Sequence, residues 1–156
     1  MKLSDWHTVI NKYNFFMSHI KELIITQYDY LTDLEEKAFY RDFIKDDNSL
    51  EYQEVETDAK VLIKKIKNGI HIYRICDTIT DIELILNEEG EAKLSSEYGE
   101  MVFNTKLIKL IEENNKVIVE YQLLNNDIIA HKKYIWKIKE IWMRSSLRKN
   151  NYFIHN

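Results

Sequence analysis

The chain reads as a mainly β protein, an antiparallel meander closed into a barrel of eight to ten strands behind an N-terminal amphipathic helix. Three observations predict this. Residues 116–140 alternate apolar and polar positions, break at Asn125-Asn126-Asp127 and alternate again, as two strands with one wet face do. Short turn clusters of Asn, Gly and Asp recur between such ribbons, and no proline occurs anywhere. The β-then-helix alternation that would make a parallel sheet is missing.

The elements follow in order. Over residues 1–20, Ser4 and Asp5 are N-cap candidates, and Trp6, Val9, Ile10, Tyr13, Phe16, Met17 and Ile20 recur at helical spacing. This helix is expected to cap or pack on the barrel, or to pair with a second copy through Trp6, Val9, Ile10, Tyr13 and Met17. Residues 21–140 form the barrel domain. Its candidate strands are 21–30, 36–44, 50–55, 60–67, 70–76, 81–87, 91–97, 101–111, 116–124 and 128–140. Asn68-Gly69 is a strong type I′ hairpin signal, because both central residues of that turn need φ > 0. Glu88-Glu89-Gly90, Glu113-Asn114-Asn115 and Asn125-Asn126-Asp127 serve as the other hairpin connections. Such a meander must hide its edge strands, and closure into a barrel does so completely. Residues 141–156 are a basic C-terminal tail.

Charge is unevenly laid out behind a net −4. Residues 29–58 hold eleven acids against three bases, whereas residues 132–149 hold seven bases and one acid, Glu140. These are expected to be solvated outer faces. The tail mixes Arg144, Arg148 and Lys149 with Trp142, Tyr152 and Phe153, a pattern that can serve single-stranded nucleic acid. The acidic balance of the chain weighs against that use. No apolar run approaches the ~18 residues of a membrane span, and the N-terminus has no signal-peptide core. A single cysteine, Cys76, permits no intrachain disulfide. The expected location is the cytoplasm.

Chemistry-bearing motifs are absent from the sequence. The histidines His7, His19, His71, His131 and His155 form no pair at metal-ligand spacing. Neither a glycine-rich phosphate loop nor a nucleophile elbow occurs. No cofactor or metal is expected, and no catalytic residue is assigned.

Three segments together resemble one family. The closing hairpin VIVEYQLLNNDIIAHKKYIWKIKE, the central hairpin AKVLIKKIKNGIHIYR ending in Arg74, and SSEYGEMVFNTKLIKL with its Tyr98-Gly99 turn and Thr105 are similar to the YwiB-like family. The match runs from about residue 21 to 140. The resemblance implies a lipocalin-like (calycin) β-barrel and no particular reaction. The chain departs from the family pattern at Glu56-Thr57-Asp58-Ala59, where a Thr-rich run is expected, and at Glu97, where a proline is expected.

The candidate ligand-contacting residues are Arg74, Tyr98, Thr105, Tyr121 and Trp136. On a two-residue Asn68-Gly69 loop, Arg74 would stand opposite Ile63, on the face of Val61, Ile72 and Cys76. The opposite face carries Leu62, Ile66, Tyr73 and Ile75, so alternation leaves the direction of Arg74 open. An inward arginine needs partners for its five donors, an internal carboxylate or an anionic ligand. The aromatics suit a pocket but equally suit a barrel filled by its own side chains. The expected function is a non-catalytic barrel binding a small apolar or anionic molecule. The alternative is a protein-interaction module using the helix or the acidic face.

Overall fold

The computed structural model describes residues 7–10 and 15–146, and side chains from 18 to 142. Twelve strands occur among the described residues: β1 (His7–Ile10), β2 (Phe15–Asp29), β3 (Leu34–Tyr40), β4 (Phe43–Lys45), β5 (Ser49–Gln53), β6 (Lys60–Ile66), β7 (Gly69–Ile75), β8 (Ile79–Ile85), β9 (Glu89–Ser96), β10 (Gly99–Glu113), β11 (Lys116–Asn125) and β12 (Asp127–Ser146). All ladders are antiparallel. From β4 the order follows the chain through successive hairpins from β5 to β12, and β12 then pairs with β2. One edge of β2 pairs with β12. The other pairs with β1 over Phe16–His19 and with β3 over Leu23–Asp29. The result is a nearly closed barrel of eleven strands, with β1 prolonging the edge beside β3. No ladder joins β3 to β4, so the seam lies there.

The meander forms because its turns are local. Asn68, Asn87, Asn115 and Asn126 each take positive φ, between 60° and 64°, which Asn tolerates better than most residues. Two turns sit differently from their sequence reading. The central hairpin turns on Lys67-Asn68, with Gly69 already paired to Ile66. The β8–β9 hairpin turns at Asn87, and Gly90 lies inside β9.

Two further readings are corrected. Among the described residues the N-terminal helix is not found: His7–Ile10 and Phe15–Ile20 are strand, and the rest of residues 1–20 lies outside the described residues. The reason is a distant partner, since β12 runs on to Ser146 and pairs Ile141 with Ile20 and Trp142 with His19. A continuous ladder to a twenty-residue strand satisfies the backbone that a helix would have satisfied internally. Of the residues proposed for dimerisation, Val9 and Ile10 are in β1 and Met17 is in β2, while Trp6 and Tyr13 lie outside the described residues. The strand count also exceeds eight to ten, because β1 is a strand and the ribbon read at 36–44 divides at Arg41-Asp42 into β3 and β4.

The inward face is one apolar set: Leu23, Ile25, Leu50, Tyr52, Val61, Ile63, Ile70, Ile72, Ile82, Leu84, Ala92, Val119, Tyr121 and Trp136 are buried together. In the ladder of β11 on β12, Val117 stands opposite Trp136 and Val119 opposite Tyr134. Among the described residues, no helix is long and apolar enough to cross a membrane.

Candidate ligand cavity

Alternation carries each lining side chain inward. On β5 the inward positions are Leu50 and Tyr52, and the next in step is Glu54, just past the strand. On β7 they are Ile70, Ile72 and Arg74, and on β12 Tyr134 and Trp136. Of these, Tyr52, Glu54, Ile72, Arg74, Tyr134 and Trp136 line a cavity of about 1040 Å³, as large as the biggest of the roughly 300–1,000 Å³ of ordinary ligand pockets. Its lining comes from the close of β5, β7 and β11 and the start of β6, β8 and β12, together with β3 from Glu36 to Tyr40, so it sits toward that end of the barrel.

Trp136 and Tyr52 form the inner floor. The Trp136 indole N–H donates to the Tyr52 hydroxyl at 3.3 Å, and both residues are buried. Beyond Trp136, at the far end, lies a smaller depression bordered by Leu50, Ile63, Ile70 and Ile138. One wall is aromatic: the Tyr134 ring lies within 5° of parallel to Trp136 and within 6° of parallel to Tyr121. Tyr40 leans on Tyr52 with ring centres 5.3 Å apart. Burial raises the phenols of Tyr52 and Tyr121 well above their ordinary value, and pushes Tyr134 up to about 12. A phenol is already neutral near pH 7, and burial extends that range further into alkali.

The polar part of the site is at the mouth. Arg74 is half-buried and faces the cavity. Its register partner is Val61 rather than Ile63, because the hairpin turns one residue earlier than read. Its Nε donates to Glu54 Oε2 at 3.1 Å and its Nη2 to Oε1 at 2.8 Å, a bidentate pair. Thr57 Oγ1 donates to the same Oε1 at 2.6 Å. These bonds hold the Glu54 carboxyl below its usual value, the arginine hydrogen bond outweighing desolvation. Glu36, Glu54 and Glu56 border the cavity alongside Lys37, Arg74 and Lys132, so formal charge at the mouth balances.

Of the candidate residues, Arg74, Tyr121 and Trp136 are brought together on the cavity wall. Tyr98 stands at the turn between β9 and β10, 91% exposed and away from the cavity. Thr105 is fully buried elsewhere; its Oγ1 donates to the Glu83 carbonyl at 2.7 Å beside Gly90. Sequence reasoning missed Glu54 and passed over Tyr52. The signal was present in Leu50-x-Tyr52-x-Glu54, an inward alternation whose last member exchanges an apolar residue for a charge.

Among the described residues no group of three His, Cys, Asp or Glu is placed to hold a metal. What the geometry defines is a nearly closed antiparallel barrel with a hollow, aromatic-walled interior and a polar mouth. The fold is similar to that of the crystal structure of the ywiB protein from Bacillus subtilis, with a TM-score of 0.54 and 13% sequence identity. The likeness covers 78% of this chain and 92% of that one. It concerns the fold alone. No family model matches the chain, and no curated protein does.

Proposed function

We propose that this barrel is a non-catalytic binding protein for a small molecule with a largely apolar body. The observation that carries the reading is the cavity of about 1040 Å³, whose wall joins Ile25, Ile72 and Ile82 to Tyr121, Tyr134 and Trp136. Pockets that hold small ligands are mostly apolar with a few placed polar groups, here the Arg74–Glu54 pair. The mechanism is capture: apolar surface of the ligand leaves water against aromatic walls, and the mouth orients its polar end. We further propose that the chain is a YwiB-like protein of the lipocalin-like (calycin) type, a reading supported by the similar fold and by the order of its hairpins. A chain with one cysteine is not built around disulfides, which supports a cytoplasmic location.

Native mass spectrometry of gently purified full-length protein tests the reading. An excess mass lost on denaturation is expected. A bare chain that also fails to bind an apolar fluorescent probe would sink it.

A further inference from the structure

The bonds of Arg74 distinguish one kind of ligand end from the others. A guanidinium presents five donors around a planar fork. Glu54 occupies the Nε/Nη2 edge with two good hydrogen bonds. The Nη1/Nη2 edge has only poor partners: Nη1 reaches Cys76 Sγ at 3.5 Å, and Nη2 reaches Thr57 Oγ1 at 3.4 Å. That edge retains the geometry that a planar two-oxygen acid engages bidentately. Tyr134 stands on the same cavity wall and offers a phenol O–H able to donate.

We infer that the cavity selects an amphiphile ending in a carboxylate, its acid group seated on the open edge of Arg74 and its apolar body along Tyr121, Tyr134 and Trp136. This inference rests on the binding-barrel reading and adds the chemistry of the ligand's end. Formal charge at the mouth balances, so selection comes from the shape of the fork rather than from an excess of cations. An ammonium end would have to turn to the carboxylates of Glu36, Glu54 and Glu56, of which Glu54 already accepts from Arg74 and Thr57. An ester keeps the carbonyl but loses the second acceptor.

The test uses the full chain and four ligands of equal carbon number: an alkanoic acid, its methyl ester, the alcohol and the amine, each titrated calorimetrically near neutral pH. The acid is expected to bind about tenfold or more tighter than the ester. Arg74→Gln is expected to abolish that preference, bringing acid affinity down to that of the ester. Arg74→Lys, which keeps the charge and loses the fork, is expected to recover only part of it. Equal binding of acid and ester, or tightest binding of the amine, would overturn the carboxylate inference and leave the binding barrel standing. Binding of none of the four would remove both. Should Arg74→Gln fail to fold by circular dichroism, the four-ligand series on the wild-type chain still decides.

Discussion

Trp136 and Tyr52, 84 residues apart in the chain, meet inside the barrel through an indole N–H that donates to a phenol oxygen at 3.3 Å. The pair ties β12 to β5 across the interior and closes the floor of the cavity. Each residue alone looks like bulk core; together they mark where the hollow part of the barrel stops.

Tyr52→Phe removes the acceptor and leaves a buried indole N–H with nothing to bond. The expected cost is about 1–3 kcal/mol, the penalty for an unsatisfied buried donor. Urea denaturation followed by tryptophan fluorescence measures it. A change below about 0.5 kcal/mol would show that the bond contributes little.

The Arg74–Glu54 pair makes stability depend on acid. Folding lowers the Glu54 pKa, so its contribution is complete above the free glutamate value of about 4.3 and is lost as pH falls through the lower folded value. Both side chains are partly solvated, 34% exposed for Arg74 and 25% for Glu54, which keeps the contribution to about 1 kcal/mol or less. Glu54→Gln is expected to lose that amount at about pH 6 and to show a flatter decline toward about pH 3. Urea midpoints at the two pH values provide the comparison.

Alkaline stability has a different origin. Tyr52, Tyr121 and Tyr134 all have raised pKa values, burial being the first cause in each case. Their neutral forms favour the folded state fully below the free tyrosine value of about 10, and this support is lost as pH rises above it. Phenolate absorbance of these three tyrosines is expected to appear together with loss of the β signal in circular dichroism. Appearance of all the phenolate before any unfolding would refute the assignment.

Thr105 and Gly90 act as one packing unit. A Cβ at Gly90 would strike the Glu83 carbonyl and come within 2.7 Å of Thr105 Oγ1. Gly90→Ala is expected to cost about 1–3 kcal/mol through overpacking. Thr105→Val leaves the Glu83 carbonyl without its donor at a similar cost. Because the two share one contact, the double variant should lose less than the sum, a deviation of at least about 0.5 kcal/mol. Thermal unfolding of the three variants reads it out.

How much of this was legible follows from range. Asn68, Asn115 and Asn126 announced their hairpins because a residue tolerant of positive φ acts within four residues of chain. The alternation of β11 and β12 likewise showed its inward face, with Tyr121 and Trp136 on it. Arg74 was conspicuous, yet Leu62, Tyr73 and Ile75 made the other face of its hairpin nearly as apolar. The choice belonged to the strands that pack beside it. Residues 15–20 misled for a related reason: their apolar spacing satisfied a helical pattern, and only the pairing with residues 141–146 made them strand.

The sequence by itself determined most of the strands after residue 20 and the order of their hairpins, since alternation and turn chemistry are set by neighbours along the chain. Tertiary structure alone decided that the interior is hollow, that Glu54 meets Arg74 at its mouth, and that Tyr98 and Thr105 stand apart from it. Those outcomes depend on barrel closure, which sets the distances between side chains far apart in sequence, and no local preference encodes the space left between them.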